Sequence, residues 1–187
     1  MINSTVIIKT KRLILREVKK SDLNELYNDM NNIKISSFML CIPFPFKKSD
    51  ANQWINHCIK SSKKVPREEY VFAITVRNED KLIGEVILNE NDFDNKSVEL
   101  AFWLSESQWN KGIVTEAVES VMDFAFNKLK INRLEMAAFV ENVGSNAIAK
   151  KLGFKYEGRK REASIPESTK KVHDDNLYSM LRREYRK

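Results

Sequence analysis

The chain is poor in the residues that staple small domains or bind metal ions. Its 187 residues include two cysteines, two histidines, five glycines and four prolines. No apolar run approaches the roughly 18 residues of a membrane span, and the first residues lack the apolar core of a signal peptide. We therefore expect reduced thiols at Cys41 and Cys58, no zinc site, no membrane contact and a cytoplasmic location.

The shortage of glycine also excludes two common phosphate-binding motifs. A P-loop needs a second glycine followed by Lys-Ser/Thr, and the Rossmann fingerprint needs three spaced glycines. The stretch around Lys111 and Gly112 has neither pattern. Any phosphate bound there would belong to a different kind of ligand site.

Positive charge, by contrast, is plentiful towards the C-terminal end. Residues 150–187 hold twelve Lys/Arg and six Asp/Glu, an excess equal to the formal net charge of +6. This excess is either a solvated basic strand pair and tail or a surface that attracts a polyanion. Since no aromatic-interleaved RNA motif is present, direct nucleic-acid readout is not expected.

The most informative stretch, residues 97–126, predicts a strand, a basic turn and a long helix. Apolar residues from Val98 to Leu104 repeat with period two, and those from Val118 to Phe126 repeat close to period 3.6. The turn between them places Gly112 at the start of the helix. Unpaired N–H groups and the positive end of the helix dipole meet there, so the turn can hold a phosphate or pyrophosphate.

A second segment, residues 131–158, predicts another strand, turn and helix. We expect a strand over Arg133–Val140, a polar break over Glu141–Ser145 and a short helix to Leu152. Gly153 follows in the position where a left-handed residue ends helices, and a new strand begins at Phe154.

The remaining elements complete a single mixed domain over residues 1–187. They are a strand over Val6–Val18, a helix from an N-cap at Ser21 to about Met30, a loop over Ile42–Phe46, a helix from an N-cap at Ser49 through Ile59, a connector over Ser61–Glu68, a hairpin of strands Tyr70–Val76 and Lys81–Leu88, and two final strands. Strands predominate in the first part of the chain, and strands alternate with helices in the second part. This order indicates an α/β fold with a mixed sheet.

These segments resemble, in order, the GNAT superfamily of acetyl-CoA-dependent N-acetyltransferases. The similarity is closest to the RimJ/RimL-like branch, which includes enzymes that acetylate protein N-termini. The matching positions are Thr10–Arg16, Glu99–Leu104, Trp109–Ala117, Asn132, Arg133, Asn142, Ser145, Lys151, Gly153, Phe154, Glu157, Gly158, Asp174, Tyr178 and Ser179. The resemblance covers nearly the whole chain.

The chain departs from the family pattern at three positions. The pyrophosphate loop of the family usually has Gly before Lys111, where this chain has Asn110, and Gly or Ala after Ile113, where it has Val114. Many members also carry a catalytic Tyr where this chain has Ala149. Because the loop binds through backbone N–H groups, the first two changes need not abolish binding.

The resemblance implies a GNAT fold, a mixed and mostly antiparallel sheet flanked by helices. Two neighbouring strands splay apart, and the pantetheine arm of acetyl-CoA enters between them. No metal is implied. The residues implied at the donor site are Trp103, Leu104, Trp109, Asn110, Lys111, Gly112, Ile113, Val114, Thr115, Asn142, Asn146 and Lys151. The side chain of Asn142 has a second interpretation, which is a simple helix cap.

Glu99 and Ser145 are the candidate catalytic residues. A carboxylate on a central strand is unexpected unless it faces a cleft or an ionic partner, which makes Glu99 a candidate base or one half of an ion pair. The branch resemblance makes Ser145 a candidate proton donor, and a capping hydroxyl is the alternative. Further acids near the expected acceptor end are Glu162, Asp174 and Asp175, and His173 is a candidate proton relay.

The expected reaction is direct acetyl transfer to a primary amine in a ternary complex. An α-amine, with a pKa near 7.7–8.0, is neutral far more often at pH 7 than a Lys amine. This favours a protein or peptide N-terminus, for example of a ribosomal protein. The alternatives are a small-molecule acetyltransferase acting on a polyamine, amino acid or antibiotic, and a CoA-binding module without turnover.

Two points stay open at the level of sequence. Phe38, Phe44, Phe46 and Trp54 either line a small acceptor pocket or belong to the core. The chain is either a monomer or a homodimer. The basic C-terminal region, if it attracts a polyanion, suits the phosphates of coenzyme A or an RNA-rich partner such as a ribosome.

Overall fold

The structure, a computed structural model, describes residues 5–92 and 95–185. Its strands are β1 (Ile8–Lys9), β2 (Leu13–Glu17), β3 (Tyr70–Val76), β4 (Leu82–Asp92), β5 (Ser97–Leu104), β6 (Arg133–Phe139), β7 (Lys155–Ser164) and β8 (His173–Leu181). Its helices are α1 (Leu23–Met30), α2 (Ile33–Ser36), α3 (Lys48–Ser61), α4 (Ile113–Asp123) and α5 (Val143–Lys151), and a π-helical turn (Phe124–Lys128) extends α4.

The strands form one sheet in the order β1-β2-β3-β4-β5-β6-β8-β7. Its strand pairs are antiparallel except for β5 and β6, which run parallel. The β5–β6 register covers only Ser97–Glu99 opposite Arg133–Glu135. Beyond these residues the two strands separate, which leaves a wedge that opens towards Leu104 and Phe139.

Each face of the sheet carries its own apolar cluster. Helix α4 and its π-helical turn pack on one face through Val118, Met122 and Phe126, and Ala149 of α5 joins the same cluster. Helices α1 and α3 pack on the other face through residues such as Ile55, against Ala73, Ile87 and Trp103 of β3, β4 and β5. The wedge therefore connects an α4/α5 side with an α1/α3 side.

The predicted central elements are confirmed. Strands β3 and β5 have the predicted bounds, β4 and β6 differ by a few residues, and α4 begins directly after Gly112. Gly153 ends α5 with a φ of +83°. Among the described residues, no helix is long and apolar enough to cross a membrane. Cys41 and Cys58 are both free thiols.

The single strand predicted over Val6–Val18 is wrong, because the chain turns back on itself within it. Strands β1 and β2 pair antiparallel, with Ile8 opposite Leu15. The turn between them is closed by backbone hydrogen bonding of Thr10 to Leu13, and the Thr10 hydroxyl accepts the Leu13 N–H at 2.9 Å. A side-chain hydrogen bond of this kind leaves no trace in the apolar periodicity.

The predicted N-caps at Ser21 and Ser49 are also wrong. Both serines lie inside the first helical turns, and the carboxylates of Asp22 and Asp50 instead accept the backbone N–H groups of Lys19 and Lys47. Asp22 also pairs with buried Arg16 at 2.8 Å. The short helix α2 lies where no helix was predicted, and its four residues are too few to show a period.

Candidate functional site

The loop before α4 has an unusual backbone that local contacts hold in place. Asn110 and Gly112 both have left-handed conformations, with φ of 61° and 71°. The indole N–H of Trp109 donates to the Leu104 carbonyl at 2.8 Å, and Lys111 Nζ donates to the Ser107 carbonyl at 2.7 Å. Asn tolerates a positive φ better than most residues, so Asn110 preserves the shape expected from the glycine of the resemblance.

The first turn of α4 presents backbone N–H groups that no side chain caps. The first helical hydrogen bond runs from Glu116 N–H to the Gly112 carbonyl, so the N–H groups of residues 113–115 have no acceptor inside the helix. These donors and the positive end of the helix dipole point to the same region. The arrangement suits a phosphate group.

The N-terminal hairpin is fastened to this loop by Arg12 and Glu116. The Glu116 carboxylate accepts from the Thr10 hydroxyl at 2.6 Å, from Arg12 N–H at 3.0 Å and from Arg12 Nε at 2.6 Å. Arg12 Nη1 also donates to the Lys111 carbonyl at 2.9 Å. Partial burial alone would raise the pKa of Glu116, but these hydrogen bonds hold it below the usual value. The fastening keeps a cation beside the loop.

A surface cleft of about 690 Å³ runs along α4 beside this loop. The residues that line it include the predicted donor-site residues Gly112, Thr115 and Lys151, together with Lys9, Lys11 and Arg12. Four cationic side chains thus line the cleft, and one of them, Arg12, is paired with Glu116. Acidic Glu116, Glu119 and Asp123 line the cleft as well, but Glu116 is already held by Arg12.

The backbone of β5 directs some N–H groups into the wedge. Ser105 N–H donates to the Ile83 carbonyl of β4 at 2.8 Å. Because hydrogen-bonded and non-bonded residues alternate along an antiparallel strand, Trp103 bonds to β4, while Phe102 and Leu104 direct their N–H groups towards β6. Of the two predicted residues, Leu104 therefore faces the wedge through its backbone.

Trp103 has a different role from the one the resemblance implied. Its side chain is 4% exposed and its indole N–H donates at 2.9 Å to Glu85, on the α1/α3 side. Neither its backbone nor its indole faces the wedge. A direct contact between Trp103 and the donor is therefore not supported by this arrangement.

Helix α5 contains the predicted residues that follow β6. Asn142 caps the helix, since its side-chain oxygen accepts the Ser145 N–H at 3.0 Å. Asn146 is buried and uses its whole amide, donating to the Phe139 and Asn142 carbonyls and accepting from Asn176 and Tyr178.

A cofactor contact by the Asn146 side chain would require these bonds to break. Ile113 is buried and Val114 packs against the core, so both contribute through backbone atoms. Tyr178 is 3% exposed, and burial raises the pKa of its phenol.

The α1/α3 side of the wedge is only partly covered. Glu99 lies on this face at the closed end of the wedge, opposite Glu135, and it is exposed. Ala137 and Phe139 follow on β6, and Ala137 is exposed. Of the described residues in the second cluster, those from strands belong to β3, β4 and β5. On the neighbouring half of this face Glu99 and Ala137 are exposed, whereas Phe139 and Asp175 are buried.

The residues between α2 and α3 border this face. The carbonyls of Ser36 and Leu40 accept hydrogen bonds from Ser168 Oγ and Glu167 N–H, which lie between β7 and β8. Phe38 packs against Phe139 with ring centroids 6.3 Å apart. Two segments distant in sequence thus meet at the open end of β6.

The four aromatic residues Phe38, Phe44, Phe46 and Trp54 lie in two different environments. Phe46 is 4% exposed and belongs to the core, and partly buried Trp54 packs against the same cluster. Phe38 and Phe44 are 38% and 44% exposed. Phe38 borders this face through its contact with Phe139, and Phe44 lies outside the core.

Glu85 is a buried carboxylate that the sequence analysis missed. It lies on β4 opposite Trp103, is 1% exposed and accepts the indole N–H groups of Trp103 at 2.9 Å and Trp54 at 3.1 Å. Burial raises its pKa to about 7, although both indole hydrogen bonds act to lower it. A charged residue inside the apolar run from Leu82 to Leu88 was the available signal, and the same argument was applied only to Glu99.

The sequence of the chain matches a known family over residues 12–155, and the family is described as an acetyltransferase (GNAT) domain. This region contains the left-handed loop, α4, the wedge and α5. The chain belongs to the GNAT acetyltransferase family. It is accordingly an N-acetyltransferase that uses acetyl-CoA.

Curated relatives of this GNAT protein agree with the assignment. An uncharacterized N-acetyltransferase p20 from Bacillus licheniformis is 29% identical over 178 residues, which are 94% of this chain and 96% of the relative. The ribosomal-protein-serine acetyltransferase of Escherichia coli is 30% identical over 113 residues, which are 60% of this chain and 62% of the relative.

Solved structures share the fold. The RimL ribosomal α-N-protein acetyltransferase in complex with coenzyme A has a TM-score of 0.81 and 21% identity, covering 94% of this chain and 98% of its own. The spermidine N-acetyltransferase of Vibrio cholerae in complex with CoA and spermine has a TM-score of 0.79 and 22% identity, covering 94% of this chain and 99% of its own. The GNAT fold and the RimJ/RimL-like resemblance are confirmed.

The residues of this GNAT protein fit acetyl-CoA. The N–H groups at the start of α4 and the cations of the cleft suit its phosphates, and the wedge has the unpaired backbone groups that an extended pantetheine arm requires. The donor-site residues stay predictions individually. Among the described residues, no group of His, Cys, Asp and Glu is placed to bind a metal ion.

We predict that Gly112→Asp weakens acetyl-CoA binding at least about tenfold more than Gly112→Asn does. Both residues share a shape that tolerates the left-handed conformation, but only Asp adds a negative charge beside the pyrophosphate. Isothermal titration with acetyl-CoA measures the difference. Equal affinities of the two variants would contradict the assignment of the pyrophosphate site to this loop.

We also predict a pH-dependent stability effect at Glu85. The folded chain keeps the Glu85 proton up to about pH 7, whereas the unfolded chain releases it near pH 4.5. The contribution of Glu85 to stability is therefore largest below about pH 4.5 and declines as the pH rises through 7. Relative to Glu85→Gln, which cannot ionise, the wild type should lose up to roughly 3 kcal/mol between about pH 5 and pH 8.

Urea unfolding at the two pH values measures this change. Glu157→Gln is the control, because ion pairing with Arg133 holds the pKa of Glu157 at about 2, outside the tested window. Its effect on the free energy of unfolding should be the same at both pH values. A pH-independent difference between wild type and Glu85→Gln would contradict the prediction.

Proposed function

We propose that this N-acetyltransferase acts on the α-amine of a protein or peptide N-terminus, such as that of a ribosomal protein. The observation that carries the proposal is the partly uncovered α1/α3 side of the wedge. An extended chain can lie along the exposed part of this face at Glu99 and Ala137, whereas a small molecule usually binds in a concave site that buries most of its surface.

Exposed apolar side chains in the segment from α2 to α3, which reaches this face through Phe38, support a peptide acceptor. Ile33, Phe38, Leu40 and Phe44 are each between 38% and 48% exposed, and all lie in the segment from α2 to α3. Exposed apolar side chains gathered in one segment commonly mark an interaction surface. The residues after an acetylated α-amine would meet this segment first.

The names of the similar proteins point to two acceptor classes. One relative is named a ribosomal-protein-serine acetyltransferase, and one structural neighbour is a spermidine acetyltransferase. A polyamine is the second candidate here, because Glu99 and Glu135 are register partners at the closed end of the wedge. Adjacent carboxylates suit a cationic chain, although Glu135 is already paired with Arg133. The exposed part of the face and the exposed apolar segment favour the peptide.

Acetyl transfer needs a stabilised oxyanion, a neutral amine and a proton for the leaving thiolate, and this chain has a candidate group for each. The backbone N–H groups of Phe102 and Leu104 face the wedge and stabilise the negative charge that develops on the thioester oxygen. Glu99 is the proposed base for the amine, and Ser145 the proposed proton donor to the departing thiolate. A thiolate, with an ordinary pKa near 8.5, leaves readily even without such a donor.

We predict that the enzyme releases CoA thiol at least about tenfold faster, as kcat/KM, with N-terminal peptides than with spermidine or free amino acids. The panel includes serine-initiated and alanine-initiated peptides, and each peptide with its α-amine blocked is the matched control. Faster turnover of spermidine than of any peptide would overturn the proposal and favour the polyamine.

For Glu99→Gln we predict a fall in kcat of about a hundredfold with unchanged acetyl-CoA affinity, as expected for loss of a general base. Glu157→Gln serves as comparison, because Glu157 lies on β7, three strands from β5 in the sheet, and is paired with Arg133. The pH–rate profile is recorded for both variants. A wild-type profile for Glu99→Gln would clear Glu99 of this role.

A further inference from the structure

Two of the four buried polar side-chain atoms that lack a hydrogen-bond partner in the described part of the chain lie on one strand, β8. They are His173 Nε2 and Asp175 Oδ1, and the other two are Ser36 Oγ and the Tyr185 hydroxyl. Burial of an unpaired polar group costs as much as a lost hydrogen bond. A cluster of such groups indicates that a polar ligand completes them.

Asp175 and His173 lie on the acceptor side of the wedge. They are two residues apart on β8 and so share one face of the strand. Asp175 is the register partner of Phe139 on β6, and the His173 ring stacks on Phe139 with centroids 4.7 Å apart. Phe139 ends the strand that borders the wedge, so Asp175 lies one strand spacing, about 4.8 Å, further on.

Both unpaired atoms are hydrogen-bond acceptors. The other oxygen of Asp175, Oδ2, accepts from the Ser164 hydroxyl at 2.6 Å, which fixes the carboxylate. Nδ1 of His173 lies 3.2 Å from a carboxylate oxygen of Glu141. A carboxylate accepts, so Nδ1 carries the proton and Nε2 presents its lone pair. A ligand that completes this site must therefore bring donors.

We propose that Asp175 and His173 form the subsite that receives the primary amine of the acceptor. An ammonium group has three donors and no acceptor, and two of these donors match the carboxylate oxygen of Asp175 and the imidazole nitrogen of His173. Asp175 is 7% exposed, so the charge–charge interaction is little screened. The inference rests on the proposed α-amine acceptor.

The subsite also prepares the amine for attack. At this subsite Nε2 of His173 takes one proton from the ammonium, which becomes a neutral amine, so His173 serves as the base in place of Glu99. A wild-type pH–rate profile for Glu99→Gln supports this assignment, and a loss of kcat of about a hundredfold in that variant counts against it. The amine nitrogen then forms the C–N bond to the acetyl carbon, the C–S bond breaks, and the thiolate takes up a proton as the product amide loses one. Entry of the amine requires Phe38, 38% exposed and packed on Phe139, to turn aside.

The histidines provide a direct test by NMR. Since the chain contains only two of them, His57→Gln assigns the imidazole signals of His173. Glycinamide, a minimal α-amine, is titrated into wild type, Asp175→Asn and Asp174→Asn. We expect a saturable shift of the His173 signals in the wild type and about a tenfold or greater loss of affinity in Asp175→Asn, whose amide presents a donor to the ammonium.

Asp174→Asn is the matched control. Asp174 is adjacent on β8 but alternates to the other face, and its carboxylate is held by Arg159 and the Glu162 N–H. It should titrate like the wild type. An unchanged glycinamide affinity in Asp175→Asn, or no shift in the wild type because ordered water fills the region, overturns the subsite.

Turnover separates this inference from the proposed function. With the best amine of the panel, Asp175→Asn should lose kcat/KM about tenfold or more while its acetyl-CoA affinity stays within about twofold. If acetyl-CoA affinity also falls, His173→Asn, which keeps a group at the Nδ1 position and removes Nε2, is used instead. If glycinamide shifts the His173 signals but no peptide is turned over, only the α-amine proposal is contradicted. If peptides are turned over and neither variant affects turnover, only the subsite is contradicted.

Discussion

The end of hydrogen bonding between β5 and β6 is the constraint on which the rest of this protein depends. Pairing stops at Glu99 and Glu135, so two parallel strands in the middle of the sheet separate. Backbone groups inside a sheet are normally satisfied by neighbours, and the parting leaves those of Phe102 and Leu104 for a ligand. The same opening joins a donor on the α4 face to an acceptor on the opposite face.

Helices and ion pairs keep the opening in place. Helix α4 follows β5 and α5 follows β6, and both pack in one apolar cluster through residues such as Val118 and Ala149. Arg12 ties the N-terminal hairpin to the loop before α4, while Asn146 joins α5 to β6 and β8. The catalytic region is therefore held by contacts between distant chain segments, such as the hydrogen bond between Arg12 and Lys111, which are 99 residues apart.

Sequence reasoning identified the central strands and helices because these elements follow apolar periodicity. Strand β5 and helix α4 alternate with periods near 2 and 3.6, and Gly112 marks their junction. It failed at Thr10, where a side chain makes the turn, and at Glu85, since burial depends on partners from distant strands and helices. It assigned Trp103 to the donor, but the direction of a β residue depends on a register that one sequence does not reveal.

The left-handed turn at Asn110 has a consequence for how such loops are identified. The loop needs a backbone conformation and exposed N–H groups, not the absence of a side chain, and Asn at a φ of 61° meets that need. A search pattern that counts glycines would score this loop as degraded. Such a loop is better identified by its torsion angles and exposed N–H groups, which any side chain that tolerates a positive φ can accompany.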